Sequence, residues 1–221
     1  MNILVIADAQ RYEELQQKGM AGHHEVHWKT SLEEVLSLKV FDLVMDMLFD
    51  DRPEHALVYA KNPGIPVLAG TVKTSLSEIM TQYAIEQGFN IMGCNFLPGL
   101  VNMPVTEVTV MDEGQKETLD GIMYKLGWEY ALVEDITGMV TPRVICMIIN
   151  EAYFAAGEGT ASREDIDTSM RLGTNYPYGP FEWSERIGVR HVYEVLKALQ
   201  DVTGDDRYEA APLLQTAYEA I

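Results

Sequence analysis

Histidine and cysteine are the side chains best able to bind a metal or act as a nucleophile, and this chain has few of them. His23, His24 and His27 lie around a short predicted strand, with no fourth ligand nearby in the sequence. Since a structural zinc site needs four ligands, we interpret them as surface histidines and expect no metal. Cys94 could be a nucleophile, although a small apolar residue in a strand is the better interpretation.

Two arginines are the remaining candidates outside any motif. Arg143 and Arg171 could each face a phosphate or a carboxylate of another subunit, and the sequence does not decide between these partners.

Composition restricts the function classes. The 221 residues carry a net charge of -18, which argues against nucleic acid and anionic membrane surfaces and does not favour the phosphates of coenzyme A. Hydrophobic residues make up 47%, enough for a core. With only two cysteines, no long apolar run and no signal peptide, we expect a cytoplasmic protein.

The elements that must position these residues alternate along the first part of the chain. Apolar runs predict strands at 2–7, 24–28, 41–47, 65–69, 90–96, 105–111 and 128–133, and helical patterns lie at 11–18, 31–38, 53–60, 75–86 and 115–126. Such alternation is typical of a parallel, doubly wound sheet. All signals after Pro142 are helical, so we predict domains at 1–137 and 138–221, with the boundary near Gly138.

The second domain begins with a long apolar helix. The pattern from Arg143 to Ala156 is apolar nearly all round and is ended by Gly157 and Gly159. A helix of this kind must be buried on every side, which in so small a domain suggests a partner subunit. Ser162 then predicts the N-cap of a further helix with acidic residues in its first turn.

The most distinctive segment is 175–183, Asn-Tyr-Pro-Tyr-Gly-Pro-Phe-Glu-Trp. Its prolines and glycine predict an abrupt turn, and its aromatic residues supply a core to turn against. Together with 164–173, this segment resembles the C-terminal domain of the 3-hydroxyacyl-CoA dehydrogenases. The resemblance implies a Rossmann-type first domain that binds NAD, and a helical second domain that forms a homodimer.

The first domain departs from the dinucleotide-binding pattern. A dinucleotide site needs glycines directly after the first strand, whereas this chain has Ala7, Asp8, Ala9 and Gln10 there. Asp8 places a carboxylate where phosphates would lie. The second strand leads to Lys29 and not to an acidic residue for the ribose, and the chain is shorter than the family by about one helix and strand before residue 95. We therefore expect no cofactor in the usual mode, and NAD only if the family activity is retained.

The resemblance also assigns catalytic positions. The family uses a histidine base with a glutamate twelve residues further on, and these positions fall on Asn95 and Glu107. Asparagine does not titrate near neutral pH and is no general base. A hydroxyl residue that contacts the substrate oxygen aligns with Thr74, for which a helix N-cap is an equally good interpretation. The family's asparagine on the long helix falls on Pro142, which lacks an amide.

The expected function is accordingly that of a 3-hydroxyacyl-CoA dehydrogenase-like pseudoenzyme of fatty-acid metabolism. We expect impaired or lost dehydrogenase activity, with an acyl-CoA-type ligand in the interdomain cleft or a role as a non-catalytic subunit. The alternative is an active NAD-dependent enzyme with a remodelled site.

Overall fold

A computed structural model of the chain describes residues 1–85 and 90–221. They form two compact units, Met1–Met139 and Val140–Ile221, and the predicted boundary near Gly138 lies beside this division. In the described part of the chain, no helix combines the length and the apolar character needed to cross a membrane.

The first unit is built on one sheet of seven described strands. They are β1 (Asn2–Ile6), β2 (Glu25–Lys29), β3 (Leu43–Asp46), β4 (Val67–Gly70), β5 (Ile91–Cys94), β6 (Val105–Thr109) and β7 (Glu129–Leu132). Its α-helices are α1 (Ala9–Lys18), α2 (Ala56–Ala60), α3 (Leu76–Gln82) and α4 (Glu113–Leu126). The strand order is β2-β1-β3-β4-β5-β6-β7, so the expected α/β architecture is confirmed.

The sheet is mixed, and the expectation of a wholly parallel sheet was wrong at one edge. Strands β1 to β5 are parallel, but β6 pairs with β5 in the antiparallel sense, and β7 is parallel to β6. The connection between β5 and β6 contains no helix and is too short for a parallel crossover, which needs a dozen or more residues. The chain therefore reverses direction between the two strands, and β6 runs antiparallel to β5.

Three predicted helices are shorter than the sequence pattern indicated. The segment 31–38 holds only 3₁₀ turns at Leu32–Glu34 and Leu38–Val40, because the hydroxyls of Ser31 and Ser37 accept nearby backbone N–H groups. The helix predicted at 53–60 starts as a 3₁₀ turn, Pro53–His55, before α2. Helix α3 ends at Gln82, and the predicted end at Glu86 lies outside the described residues.

Both faces of the sheet are buried, as expected for parallel strands. Along β1 the side chains alternate: Ile3 and Val5 pack with Leu15 of α1, while Leu4 and Ile6 pack on the opposite face. The first cluster also takes in α4, and the second takes in α2 and α3. The carboxyl ends of β1, β3 and β4 are thereby fixed side by side.

The second unit is helical, as predicted. It contains α5 (Thr141–Gly157), α6 (Arg163–Thr174), α7 (Pro180–Ile187), α8 (Val189–Thr203) and α9 (Pro212–Glu219). Helix α5 packs against α7, α8 and α9. The buried Asn150 of α5 donates to Glu209 O and accepts from Ala211 N, both at 2.8 Å, which joins α5 to the chain before α9.

Within this chain, α5 is not buried on every side. Val144 is 50% exposed and the preceding Val140 is 54% exposed, while Cys146 and Ile149 on the opposite side are buried. The side of α5 that faces the other helices is buried within the unit, and the apolar side chains of Val140 and Val144 remain at the surface.

The turn before α7 has the predicted abrupt form. Asn175 ends α6 with a φ of 57°, Pro180 begins α7, and the rings of Tyr178 and Trp183 meet edge to face at 4.9 Å. The carboxylate of Asp167 accepts from Phe181 N at 2.8 Å and from Glu182 N at 3.3 Å, which satisfies the N-terminus of α7. Gly179 lies so close to this carboxylate that a Cβ atom would overlap it.

Replacement of Gly179 tests this close approach. In Gly179→Ala the new methyl displaces the Asp167 carboxylate from the helix N-terminus, and we expect the free energy of unfolding to fall by about 1–3 kcal/mol. The measurement is urea denaturation followed by circular dichroism.

The matched control is Gly173→Ala, because a Cβ at Gly173 meets no atom within 4 Å. Alanine in a helix is favoured over glycine, so the control should be neutral or more stable by about 0.5–1 kcal/mol. Equal effects of the two substitutions would contradict the assignment.

Candidate functional site

The N-terminus of α1 directly follows β1, the place where a Rossmann domain binds a pyrophosphate. Here Asp8 is the N-cap, and its Oδ1 accepts from Arg11 N at 2.8 Å. A helix N-terminus attracts phosphate through its free N–H groups and its dipole. In this chain a carboxylate of the protein already occupies that position.

The side chain of Arg11 is buried in the same region, next to the N-terminus of α1. It is only 3% exposed, and its guanidinium makes three contacts. Nη1 bonds the Asp8 carboxylate, Nε donates to Phe96 O at 3.0 Å, and Nη2 lies 3.6 Å from Asp51 Oδ2. One buried cation thus joins the end of β1, the segment after β3 and the segment after β5.

Lys73, which follows β4, and Asp50 extend this network to the end of the next strand. Lys73 Nζ donates to Asp51 Oδ1 at 2.8 Å. The oxygens of Asp50 accept from Val72 N at 2.9 Å and from Lys73 N at 2.8 Å. Burial raises the pKa of Asp50 to about 6, against the opposing effects of Lys73, the two N–H groups and Arg11. We call Asp8, Arg11, Asp50, Asp51 and Lys73 the charged cluster.

The charged cluster does not fit a dinucleotide in the usual mode. It holds three carboxyl groups and two cations, and the cations are engaged by the cluster's own acids. A phosphate at about 4 Å from a carboxylate meets a repulsion of roughly 1 kcal/mol even in water, and more where the site is partly buried. The sequence argument from Asp8 therefore has a structural basis that the sequence did not reveal, namely the buried Arg11.

At the end of β2, the side chain of Trp28 packs over the loop that follows β1. Trp28 stacks on Tyr12 with ring centroids 4.3 Å apart, and its Nε1 donates to Ala7 O at 2.8 Å. In a Rossmann domain an acidic residue near this point holds the ribose hydroxyls. Here the indole covers the loop between β1 and α1 instead.

A second loop is held by a buried acid. Both oxygens of Glu14, on α1, accept from Gly99 N at 2.8 and 2.9 Å, and Oε2 is 3.3 Å from Val101 N. The loop that follows Asn95 is thus fixed to α1.

The structure brings Asn95 and Glu107 together on neighbouring strands. Asn95 N donates to Glu107 O at 3.0 Å, and both side chains are buried. The Asn95 Oδ1 accepts from Leu97 N at 3.3 Å, so its amide oxygen serves its own loop. An amide takes no proton at neutral pH, so Asn95 cannot act as the base at the position where the family has a histidine.

Thr74 and Pro142 take structural positions, in different units. The interpretation of Thr74 as an N-cap was wrong by one residue: Ser75 caps α3, in a capping box with Glu78. Thr74 Oγ1 lies 3.4 Å from Glu78 Oε2, which also accepts from Thr137 Oγ1 at 2.9 Å. Pro142 lies in the first turn of α5, a position that suits proline.

The remaining candidates are placed as the sequence suggested or are held by local contacts. Cys94 is fully buried, and burial raises the pKa of its thiol. His24 Nε2 lies 2.8 Å from Ala21 O and 3.2 Å from Lys125 O, and His27 packs edge-on against Phe41. The buried Cys94 thiol is therefore not activated as a nucleophile, and His24 and His27 are held by local contacts.

Sequence reasoning missed Arg11, Asp51, Lys73 and Glu14. Two signals were available: an Asp-x-x-Arg spacing across a helix start, and an Asp-Asp pair in the short segment after a buried strand. Carboxylates at the carboxyl end of one parallel strand lie beside the loops that end its neighbours, so an ion pair could have been inferred.

The family model for the 3-hydroxyacyl-CoA dehydrogenase C-terminal domain matches residues 138–221. The 3-hydroxyadipyl-CoA dehydrogenase of Escherichia coli is 46% identical over 83 residues, which are 38% of this chain and 18% of that protein. A 3-hydroxybutyryl-CoA dehydrogenase of Bradyrhizobium diazoefficiens is 27% identical over 169 residues, 75% of this chain and 57% of that protein. This chain therefore spans well under two thirds of either relative.

Among solved structures, a (S)-3-hydroxybutyryl-CoA dehydrogenase of Ralstonia eutropha superposes with a TM-score of 0.71 at 23% identity. The superposition covers 89% of this chain and 70% of that one, and at this identity it supports the fold alone. The family-model match and the sequence relatives carry the family assignment. Residues 138–221 match the C-terminal domain of the 3-hydroxyacyl-CoA dehydrogenases, and the chain as a whole is similar to members of that family.

Proposed function

We propose that this 3-hydroxyacyl-CoA dehydrogenase-like protein has lost efficient NAD-dependent dehydrogenation. In this proposal it acts as an acyl-CoA-type ligand-binding protein or as a non-catalytic subunit. The observation that carries the proposal is the charged cluster, which places Asp8 and the buried Arg11 at the N-terminus of α1. A dinucleotide would have to displace the Asp8 carboxylate and separate it from the buried Arg11.

The catalytic positions support the same proposal. A positioned base contributes roughly 10²- to 10⁴-fold to rate, and Asn95 supplies none of it. Holding the hydride acceptor against the substrate is the larger contribution, on the order of 7 to 11 kcal/mol. Both losses fall on one chain, which favours loss of activity over a change of substrate.

An acyl-CoA-type ligand is proposed from the relatives' names. The relatives are called 3-hydroxyadipyl-CoA and 3-hydroxybutyryl-CoA dehydrogenases, which act on CoA thioesters by name. A protein can retain ligand binding after it has lost catalysis, because the two depend on different groups.

The proposed location is the cytoplasm. The two free, buried cysteines are consistent with it.

A homodimer through the helical unit is part of the proposal. Val140, directly before α5, and Val144, in its first turn, are half exposed or more in the single chain. In this proposal the second copy covers these two side chains at the start of α5.

The first prediction of this proposal concerns the cofactor. NADH at millimolar concentration should leave the melting temperature of the protein unchanged, because the cluster opposes its phosphates. A site filled at 100 times its Kd would add about 2.7 kcal/mol, which a thermal melt detects easily.

The control is an active 3-hydroxybutyryl-CoA dehydrogenase in the same buffer, with acetoacetyl-CoA as a second ligand for both proteins. A rise with the thioester alone supports ligand binding, and no rise with either ligand supports the non-catalytic subunit. A saturable rise with NADH would overturn the proposal in favour of an active enzyme with a remodelled site.

The second prediction concerns the base. Asn95→His restores a histidine next to Glu107, yet we expect no NAD-dependent oxidation of 3-hydroxybutyryl-CoA, because the acceptor remains unbound. Adding Pro142→Asn should not change this. NADH absorbance at saturating thioester is the measurement, with circular dichroism to verify folding. Robust turnover by Asn95→His would show that the cofactor site is intact.

The third prediction concerns the dimer. Val144→Glu places a charge in the proposed interface, which costs about 3 kcal/mol or more and raises the dimer Kd at least about 100-fold. Leu172→Glu is the matched control, since Leu172 is already 84% exposed on α6. Sedimentation velocity should find a monomer for the first variant and a dimer for the second. A monomeric wild-type protein at micromolar concentration would refute the proposed assembly.

A further inference from the structure

A fully buried carboxylate lies at the end of β3, on the sheet face opposite to α1 and α4. Asp46 is 0% exposed and accepts three hydrogen bonds: from His55 Nδ1 at 2.7 Å, from the Tyr59 hydroxyl at 2.7 Å and from Leu48 N at 3.1 Å. Burial and the Asp46 charge raise the pKa of Tyr59 well above its ordinary value, so the phenol remains a donor. Asp46 therefore holds His55 in one tautomer, with Nδ1 protonated.

The other nitrogen of this imidazole is available. The His55 side chain is 7% exposed, and among the residues that the structure describes its Nε2 has no hydrogen-bond partner. This nitrogen is not among the buried side-chain atoms that lack a partner, so it is reachable from solvent. The structural role of His55 is completed by Nδ1 alone, which leaves Nε2 for a ligand.

His55 forms part of the wall of a pocket of about 300 Å³. That volume is at the lower end of the range for small-molecule sites, about 300–1,000 Å³. The other lining residues are Leu32, Val35, Leu38, Val58, Glu33 and Glu54. The pocket therefore combines four apolar side chains with the imidazole of His55 and two acidic side chains.

The charged residues around the pocket determine which ligand charge it favours. Glu33 and Glu54 are exposed, and Glu54 lies 3.8 Å from Arg52, which is also exposed. Burial alone lowers the pKa of His55, but the hydrogen bond and charge of Asp46, with Glu54 and Glu33, outweigh it and raise that pKa. These carboxylates repel an anion and attract a cation.

We propose that this pocket binds small primary amines with a short aliphatic chain, the ammonium group donating to His55 Nε2. An ammonium has three donors, so Glu33 and Glu54 can take those that Nε2 leaves free. The aliphatic chain lies against the side chains of Leu32, Val35, Leu38 and Val58. The neutral imidazole is the binding form, so affinity increases as the pH rises through the pKa of His55.

The test is a titration of the full-length protein with n-butylamine, observed by NMR of isotope-labelled histidine rings. The His55 signal is assigned by its loss in His55→Gln. At about pH 8.5 we expect a saturable shift of this signal, with Kd on the order of 1 to 10 mM for so small a ligand. From ethylamine to butylamine, each added CH₂ should tighten binding about three- to fourfold. Butyrate at the same ionic strength should leave the signal unmoved.

Two matched variants on α2 complete the experiment. Val58→Phe fills the pocket without touching Asp46 or Nδ1 and should abolish the shift. Leu57→Phe adds the same ring to a neighbouring residue that does not line the pocket and should preserve it. No shift with any amine, an equal shift with butyrate, or unchanged binding in Val58→Phe would each overturn the proposal.

Discussion

The buried guanidinium of Arg11 is the interaction on which the first unit depends. A cation that is 3% exposed must be paired, and removing one partner of a buried ion pair typically costs 3–5 kcal/mol. Its partners are Asp8 at the start of α1, Asp51 after β3 and the carbonyl of Phe96 after β5. The carboxyl ends of three strands are consequently held by one side chain, in the region where a Rossmann domain leaves space for its cofactor.

The fold and the cofactor site are separable because they rest on different features. A sheet with two buried faces requires continuous apolar runs in its strands, which this chain retains. A pyrophosphate site requires an open helix N-terminus and a close backbone, and here Asp8 and Arg11 occupy that space. Glu14 acts in the same way on the adjacent loop, where its oxygens bind the N–H groups of Gly99 and Val101.

Local patterns were sufficient for the elements and insufficient for their contacts. Strand positions follow from apolar runs and the Ser162 cap from capping chemistry, whereas the pairing of Asn95 with Glu107 was implied by the family resemblance. The direction of β6 does not, since it depends on the length of a connection that carries no pattern. Arg11 and Phe96 are 85 residues apart, and no property of either residue alone indicates that they meet. The Asp46–His55 pair likewise depends on a 3₁₀ turn where the sequence predicted a regular helix.

Carboxylates at helix N-termini connect the composition of the chain to its chemistry. Asp8 caps α1, Asp112 caps α4, Asp135 accepts from the first two N–H groups of α3, and Asp167 accepts from those of α7. Each contact satisfies donors that a helix leaves unpaired, and each favours the helix dipole. An excess of acid therefore stabilises these helices. The same contacts occupy the positions at which the N-termini of these four helices would bind phosphate, so the acids that stabilise these helices also remove their capacity to hold a phosphate.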